Sequence, residues 1–144
     1  MATVRDMIRK KGNEVFSVTP DMTVFDVLES MAKHNIGALL VMTGDDVAGI
    51  VSERDCVRKL ELMGRNAKDT KVNEIMTSEL ITVDCSQPLE ECMALMNEKN
   101  IRHLPVYDGK NLMGLISVRD VLKEMIEMQQ LMLSQLERYI TGGR

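Results

Sequence analysis

The chain has 144 residues, 44% of them apolar and 28% charged, with a net charge of −4, the balance of a soluble globular protein rather than a disordered one. An acidic total with two Tyr, two Phe and no Trp argues against a nucleic-acid surface, which needs a basic stripe and usually stacking platforms. No apolar run is long enough to cross a bilayer, and the polar opening (Arg5, Asp6, Arg9, Lys10, Lys11) lacks the apolar core of a signal peptide, so no membrane association and a cytoplasmic location are expected.

With so few aromatics, Met, Leu, Ile and Val must fill the interior. Cys56, Cys85 and Cys92 are odd in number and form no C-x-x-C, so buried thiols are expected rather than disulfides or a zinc site. His34 and His103 have no partner at a metal-like spacing.

In chain order, a lead-in (Val4 to Ile8) precedes an extended segment, Val15 to Val18. A helix follows, with Val24, Val27, Leu28 and Met31 at helical spacing and Thr23 with Asp26 as a capping box. Ile36 to Met42 and Val47 to Val51 flank the turn cluster Thr43-Gly44-Asp45-Asp46 and predict a β-hairpin. A second helix starts near Glu53, and the polar stretch Gly64 to Lys71 marks a break.

The order then repeats. A second lead-in (Val72 to Met76) is followed by an extended Leu80 to Val83 and a helix through Leu89, Cys92, Met93 and Met96, with Pro88 in its first turn. A hairpin of Ile101 to Tyr107 and Leu112 to Ile116 leads to a helix from Val118. Residues 15–60 align without a gap on residues 80–125, with eleven identities, among them Asn35/Asn100, Gly49/Gly114, Ser52/Ser117, Arg54/Arg119 and Asp55/Asp120.

The expected fold is therefore α/β: two β-α-β-β-α repeats of about 60 residues sharing a core, because one such unit buries too little surface alone. The organisation read from the repeat is 1–66 for the first copy with its lead-in, 67–126 for the second, and 127–144 for a helical extension and tail. The last helix is expected to run to about Tyr139 with Val118, Leu122, Met125, Met132, Leu136 and Tyr139 on a 4-3 spacing interrupted by Gln129, and to end at Thr141-Gly142-Gly143. Such a seam suits a symmetric subunit contact, a homodimer, or else a cover over the protein's own core.

The segment that carries chemistry is Gly49-Ile50-Val51-Ser52-Glu53-Arg54-Asp55, repeated as Gly114-Leu115-Ile116-Ser117-Val118-Arg119-Asp120. At a strand-to-helix junction it brings a hydroxyl, a guanidinium and free backbone N–H groups to the positive end of a helix, a setting suited to a phosphate. Asp55 and Asp120 would instead accept hydrogen bonds from paired hydroxyls such as those of a ribose. Ser-x-x-Asp at a helix start is equally the pattern of a capping box. Recurrence of Ser, Arg and Asp while Glu53 becomes Val118 favours a site, since a cap alone tolerates many residues. Ser52 and Ser117 have no identifiable general base, so no catalytic role is expected and the chain is not read as an enzyme.

Taken with the lead-ins and the strands Asn35-Ile36-Gly37-Ala38-Leu39 and Asn100-Ile101-Arg102-His103-Leu104-Pro105-Val106, these motifs resemble the tandem CBS (cystathionine-β-synthase) domain family, specifically its small stand-alone pairs, over about residues 1–140. The resemblance implies a pseudo-twofold pair with two clefts for adenosine ligands such as AMP, ADP, ATP, NAD or S-adenosylmethionine. It implies that Asp55 and Asp120 hold ribose hydroxyls, that Ser52, Arg54, Ser117 and Arg119 face phosphate or ribose, and that backbone around Thr19, Ala38, Asp84 and His103 frames the base. No cofactor is required, and no carboxylate cluster argues for a dedicated magnesium site.

Gly37-Ala38 in one copy against Arg102-His103 in the other predicts unequal sites, although neighbours on a strand point opposite ways and one of Arg102 and His103 can face solvent. Leu40 in place of Pro105 departs from the family pattern in the first copy. The function expected is sensing of an adenosine nucleotide, with an effect in trans on an unidentified protein. The alternative is a ligand-independent dimeric interaction module.

Overall fold

The computed structural model of the protein describes residues 2–12 and 14–142. The chain divides into two compact units, one of Glu14–Ile81 and one of Met1–Asn13 with Thr82–Arg144. Helix α1 (Val4–Lys11) comes first in the chain and belongs to the second of these.

In the Glu14–Ile81 unit, β1 (Ser17–Val18) leads to α2 (Val24–His34). Thr23 caps α2 as its spacing predicts: its Oγ1 accepts from Asp26 N at 3.2 Å, and Asp26 Oδ2 accepts from Thr23 N at 3.3 Å. The helix ends at Asn35, which is left-handed (φ 53°); Asn100 does the same (φ 52°) at the end of the corresponding helix. Asparagine tolerates that conformation better than other side-chain-bearing residues, which accounts for its appearance at this place in both copies. Ile36 N still donates back to Met31 O at 3.1 Å and Gly37 links it to the sheet, so β2 (Ala38–Thr43) begins two residues later than the apolar run suggests.

Strand β2 pairs antiparallel with β3 (Asp46–Ser52) and parallel with β1, so it is the central strand of three. Ala38, Leu39, Leu40 and Val41 are all buried, and the strand is covered on both faces. The core of the unit is Val18, Val24, Val27, Met31, Leu39, Val41, Val51, Cys56, Leu60, Val72 and Ile75. Helix α3 (Glu53–Cys56) continues as a π-helical turn over Val57–Glu61.

The other unit repeats the plan: β4 (Val83–Asp84), α4 (Leu89–Lys99), β5 (His103–Asp108), β6 (Asn111–Ser117) and α5 (Val118–Thr141), with the sheet order β4-β5-β6. Pro88 is the N-cap of α4, one position ahead of the first-turn place expected for it. Both hairpins turn through a glycine at positive φ, Gly44 (62°) and Gly109 (61°), and both carry a register shift at the same position, Val41/Met42 and Val106/Tyr107. The β-α-β-β-α order expected from the sequence is present in each unit.

The compact units cut the chain elsewhere than the sequence repeat does, because the lead-ins are exchanged. Helix α1 packs with the 82–144 unit: Val4 N donates to Gln87 O at 3.0 Å, Arg5 N donates to Cys85 O at 2.9 Å, and Arg5 pairs with Asp108 at 3.1 Å. The second lead-in, a single 3₁₀ turn over Val72–Glu74, seals the core of the 14–81 unit with Val72 and Ile75. A two-way bridge fastens it to β3, Ile50 N to Thr77 O at 3.0 Å and Thr77 N to Ile50 O at 2.8 Å. Residues 1–66 as one domain and 67–126 as another therefore describe the repeat, not the compact units.

Helix α5 has 24 residues. Its first turns bury Val121 and Glu124, whereas residues 129–141 are all exposed. The expected seam is on the open side: Leu122, Met132, Leu136 and Tyr139 are exposed, as are Ile126, Leu131, Leu133 and Ile140. Gly142 caps the helix, and Gly143, named with it as the stop, lies outside the described residues. Cys56, Cys85 and Cys92 are free and buried, and burial pushes the Cys56 and Cys92 thiols up to about 11. No described helix is long and apolar enough to cross a membrane.

Candidate functional site

Each Gly-x-x-Ser-x-Arg-Asp segment ends a β-strand and starts a helix, and its serine is the N-cap. In the 14–81 unit Asp55 N donates to Ser52 Oγ at 3.2 Å, while Asp55 Oδ2 accepts from Ser52 N at 3.0 Å and from Ser52 Oγ at 3.1 Å. In the other unit Asp120 N donates to Ser117 Oγ at 3.0 Å, and Asp120 Oδ2 accepts from Ser117 N at 2.8 Å. The capping box is thus formed in both copies.

The strand next door completes each motif. Register puts Ala38 opposite Ser52 and His103 opposite Ser117, and the first N–H of each helix is taken by the residue before the strand: Glu53 N donates to Gly37 O at 3.0 Å and Val118 N to Arg102 O at 2.9 Å. Ala38, Ser52, Arg54 and Asp55 are therefore neighbours in one unit, and Arg102, His103, Ser117, Arg119 and Asp120 in the other. Ala38 is a buried core residue, so its side chain offers nothing to a ligand. Arg102 and Arg119 are exposed, and His103 is half-buried, the alternation that a strand imposes on the pair 102 and 103.

Thr19 and Asp84 are placed differently. Val18 and Asp84 are level with Val41 and Tyr107, so along its own sheet each lies about four residues, roughly 13 Å, from Ala38 or His103. Thr19 is exposed and its hydroxyl donates to Asp21 Oδ1 at 2.6 Å. Asp84 accepts from Ser86 Oγ at 2.5 Å and Ser86 N at 2.9 Å; these bonds, helped by Arg5, hold its carboxyl below the usual range. Within their own units neither joins the motif cluster.

Two lysines that motif reading passes over do join it. Lys59 Nζ sits 3.1 Å from Asp55 Oδ1, one helical turn away, and donates to Ile75 O of the lead-in at 3.1 Å. Lys11, at the end of α1, donates to Asp120 Oδ2 at 2.7 Å and to Leu115 O at 2.9 Å. The Lys59–Asp55 spacing is legible as an i, i+4 pair; Lys11 is 109 residues from its partner, and nothing local in the sequence announces it.

These contacts set the charge state. Burial alone would raise the Asp120 carboxyl, but the Lys11 ammonium and the Ser117 N–H outweigh it and the net shift is downward, so Asp120 is a carboxylate at neutral pH. His103 is shifted downward, chiefly by burial, with Lys11 and Arg102 adding to the shift and Asp120 opposing it. It is a neutral imidazole at pH 7, able to donate from one nitrogen and accept at the other. Among the described residues no group of three or more His, Cys, Asp or Glu is arranged to hold a metal ion.

Comparison with known proteins agrees with the architecture. The CBS domain model matches residues 4–62 and again 72–127. The CBS domain-containing protein CBSX3, mitochondrial, of Arabidopsis thaliana is 39% identical over 150 residues, covering 98% of this chain and 73% of that one. A protein with CBS domains from Burkholderia ambifaria superposes with a TM-score of 0.85 at 47% identity, over 88% of this chain and 95% of that one. The CBS domain pair of protein MJ0100, solved with 5-methylthioadenosine and S-adenosyl-L-methionine, shares the fold (TM-score 0.76, 89% of this chain and 98% of that one) at 21% identity. With two matches to its model and two lead-in-hairpin-helix repeats, this chain belongs to the CBS domain family.

Proposed function

We propose that the protein is a regulatory CBS pair that binds an adenosine nucleotide of the AMP, ATP or NAD type at its Ser-x-Arg-Asp segments and alters a partner protein in trans. The observation that carries the reading is the pairing of a partly exposed aspartate with a serine and an arginine at the same strand-to-helix junction in both units. A capping box explains Ser52 with Asp55 and Ser117 with Asp120 but makes no demand on Arg54 or Arg119. In this reading the Asp carboxylates accept the ribose hydroxyls, Ser and Arg face phosphate or ribose, and the backbone of Ala38 and His103 flanks the base. Ligand binding regulates only if it favours one of two protein states, so the partner must distinguish the filled form from the empty one.

The exposed 4-3 row on α5 supports a homodimer, since more than three turns of helix without a buried residue gain little stability alone. Three free, buried thiols suit a reducing compartment, the cytoplasm in this reading.

Calorimetric titration with AMP, ATP, NAD and S-adenosylmethionine tests the proposal: saturable binding in the micromolar range expected of a metabolite, lost on replacing Asp55 and Asp120 together by Ala, supports it. Absence of heat with all four, together with an unchanged melting temperature, would leave a second reading in front. In that reading the motif residues only cap helices and the exposed α5 row binds partners.

A further inference from the structure

The two motif regions are copies in backbone but not in charge. Around Asp55 the charged neighbours are Glu53, Arg54 and Lys59, and the adjoining strand contributes only Gly37 and Ala38. Two carboxylates and two cations lie in these two helical turns, and the Glu53 carboxylate stands over Gly37, where a Cβ would meet its Oε1 at 3.6 Å.

Around Asp120 all of these features change except the motif arginine, Arg119. Glu53 is replaced by Val118, and Gly37 by Arg102. The position aligned with Lys59 is Glu124, which is buried and neutralised by Lys10 at 2.6 Å. What remains is one carboxylate, Asp120, paired with Lys11, while Arg102 beside the adjoining strand and Arg119 beside Asp120 in the chain are exposed cations. A region with that surplus of cations favours an anion.

The free valences point the same way. On Asp55 both oxygens are engaged, Oδ2 by Ser52 and Oδ1 by Lys59, and the side chain is 12% exposed. On Asp120 the bonds from Ser117 N and Lys11 both fall on Oδ2, leaving Oδ1 as the oxygen neither uses, and the side chain is 29% exposed. Lys11 spends two of its three N–H donors on Asp120 and Leu115 O, and its side chain is 41% exposed. It is not needed as the fastener of α1, because Lys10 with Glu124, Arg5 with Asp108 and the Val4 and Arg5 backbone bonds already hold that helix.

We propose that the Asp120 site takes a 5′-phosphorylated adenosine and that Lys11, delivered by α1, is the cation that reads the phosphate. The inference rests on the adenosine reading above and sharpens it. A ribose whose hydroxyls lie on Asp120 Oδ1 carries its 5′-phosphate about one ribose width away, within the sweep of an ammonium on a flexible four-carbon stem. The site then prefers AMP to adenosine, and disfavours S-adenosylmethionine, whose sulfonium puts a positive charge where the phosphate would be.

The test is calorimetry with adenosine, AMP and S-adenosylmethionine on the wild type, Lys11→Met and Lys11→Arg, reading the tighter binding phase. The wild type should bind AMP about tenfold or more tighter than adenosine, the size of one charge-assisted contact. Lys11→Met should cut that ratio to about twofold or less while moving the adenosine Kd by under about threefold, and Lys11→Arg should keep most of the ratio. The ratio is taken within one protein, so a loss of folded fraction cancels from it. If Lys11→Met weakens both ligands in proportion, or leaves the ratio untouched, Lys11 is a positioning residue or a bystander and the inference falls. If adenosine and AMP both fail to bind the wild type, the adenosine reading falls and takes this inference with it.

Discussion

Alanine at the two motif glycines should have very different consequences. A Cβ on Gly49 would lie 2.8 Å from Thr77 O and 2.9 Å from Met76 Sδ. The first of these is backbone, and it is the carbonyl that receives Ile50 N in the bridge holding the second lead-in on β3. It cannot turn away as a side chain can, so Gly49→Ala must either push the lead-in off the sheet or strain it. Overpacking of this sort costs about 1–3 kcal/mol, and loss of the two bridge hydrogen bonds adds about 0.5–1.5 kcal/mol each. Alanine's lower chain entropy in the unfolded state returns about 0.4–1 kcal/mol. Where both costs are incurred, the net expected loss is about 1–5 kcal/mol.

A Cβ on Gly114 meets only Ile8 Cδ1, at 3.2 Å, the far end of a side chain that can yield by a few tenths of an ångström. There the steric cost and the entropy gain nearly offset, and Gly114→Ala should fall within about 1 kcal/mol of wild type. Urea unfolding followed by circular dichroism measures both, with unchanged m-values showing that stability alone has moved. Equal losses at the two positions, or a larger one at Gly114, would refute the argument. The shared glycine would then serve the motif itself rather than the docking of a lead-in.

Ser117→Ala should remove an N-cap and cost about 1 kcal/mol in thermal or urea unfolding, with Ser52→Ala costing at least as much because the Ser52 hydroxyl also donates to Asp55. His103 has a folded pKa below its ordinary 6.5, so the unfolded chain takes up its proton first. Stability should be at its full value above pH 6.5 and decline as pH falls below it, and His103→Gln should flatten that part of a melting-temperature profile. Asp120 acts lower on the scale: its depressed carboxyl stabilises the fold above its unfolded value near 3.8 and loses that contribution as pH falls through the folded pKa. If α5 forms the proposed homodimer seam, Met132→Lys with Leu136→Lys should leave a monomer in sedimentation without changing the melting of the monomeric core, since both side chains are exposed.

Most of the fold was legible because its signals are local and occur twice. Capping at Thr23, helical apolar spacing through Met31 and Met96, and glycine turns at 44 and 109 each specify an element within a few residues. The constant offset then fixes their order. The motif was legible to the level of its backbone: Ser52, Asp55, Ser117 and Asp120 are at strand-to-helix junctions, as their spacing indicates.

What escaped was long-range. The identity of the lead-ins' hosts depends on contacts such as Arg5 with Asp108 and Lys11 with Asp120, which span more than a hundred residues and leave no periodicity behind. Thr19 and Asp84 lie beside the central strands, about four residues along from Ala38 and His103, a separation that only the strand register gives. The asymmetry of charge was only half visible. Arg102 and His103 announced it, whereas Lys59 against Glu124 acquires meaning only once Lys10 and Lys11 are seen to cover the acidic face of α5.

The exchange of lead-ins also orders the chain in time. The 14–81 unit is one continuous stretch and can close as soon as its last strand contact, Thr77 on Ile50, leaves the ribosome. Helix α1 is made first yet finds its seat last, since Cys85, Gln87, Asp108 and Leu115 must all be synthesised before Val4, Arg5 and Lys11 have anything to hold. Until then Val4, Met7 and Ile8, all buried in the finished protein, are an exposed apolar edge on a nascent chain, open to a chaperone or to the α1 seat of a neighbouring copy.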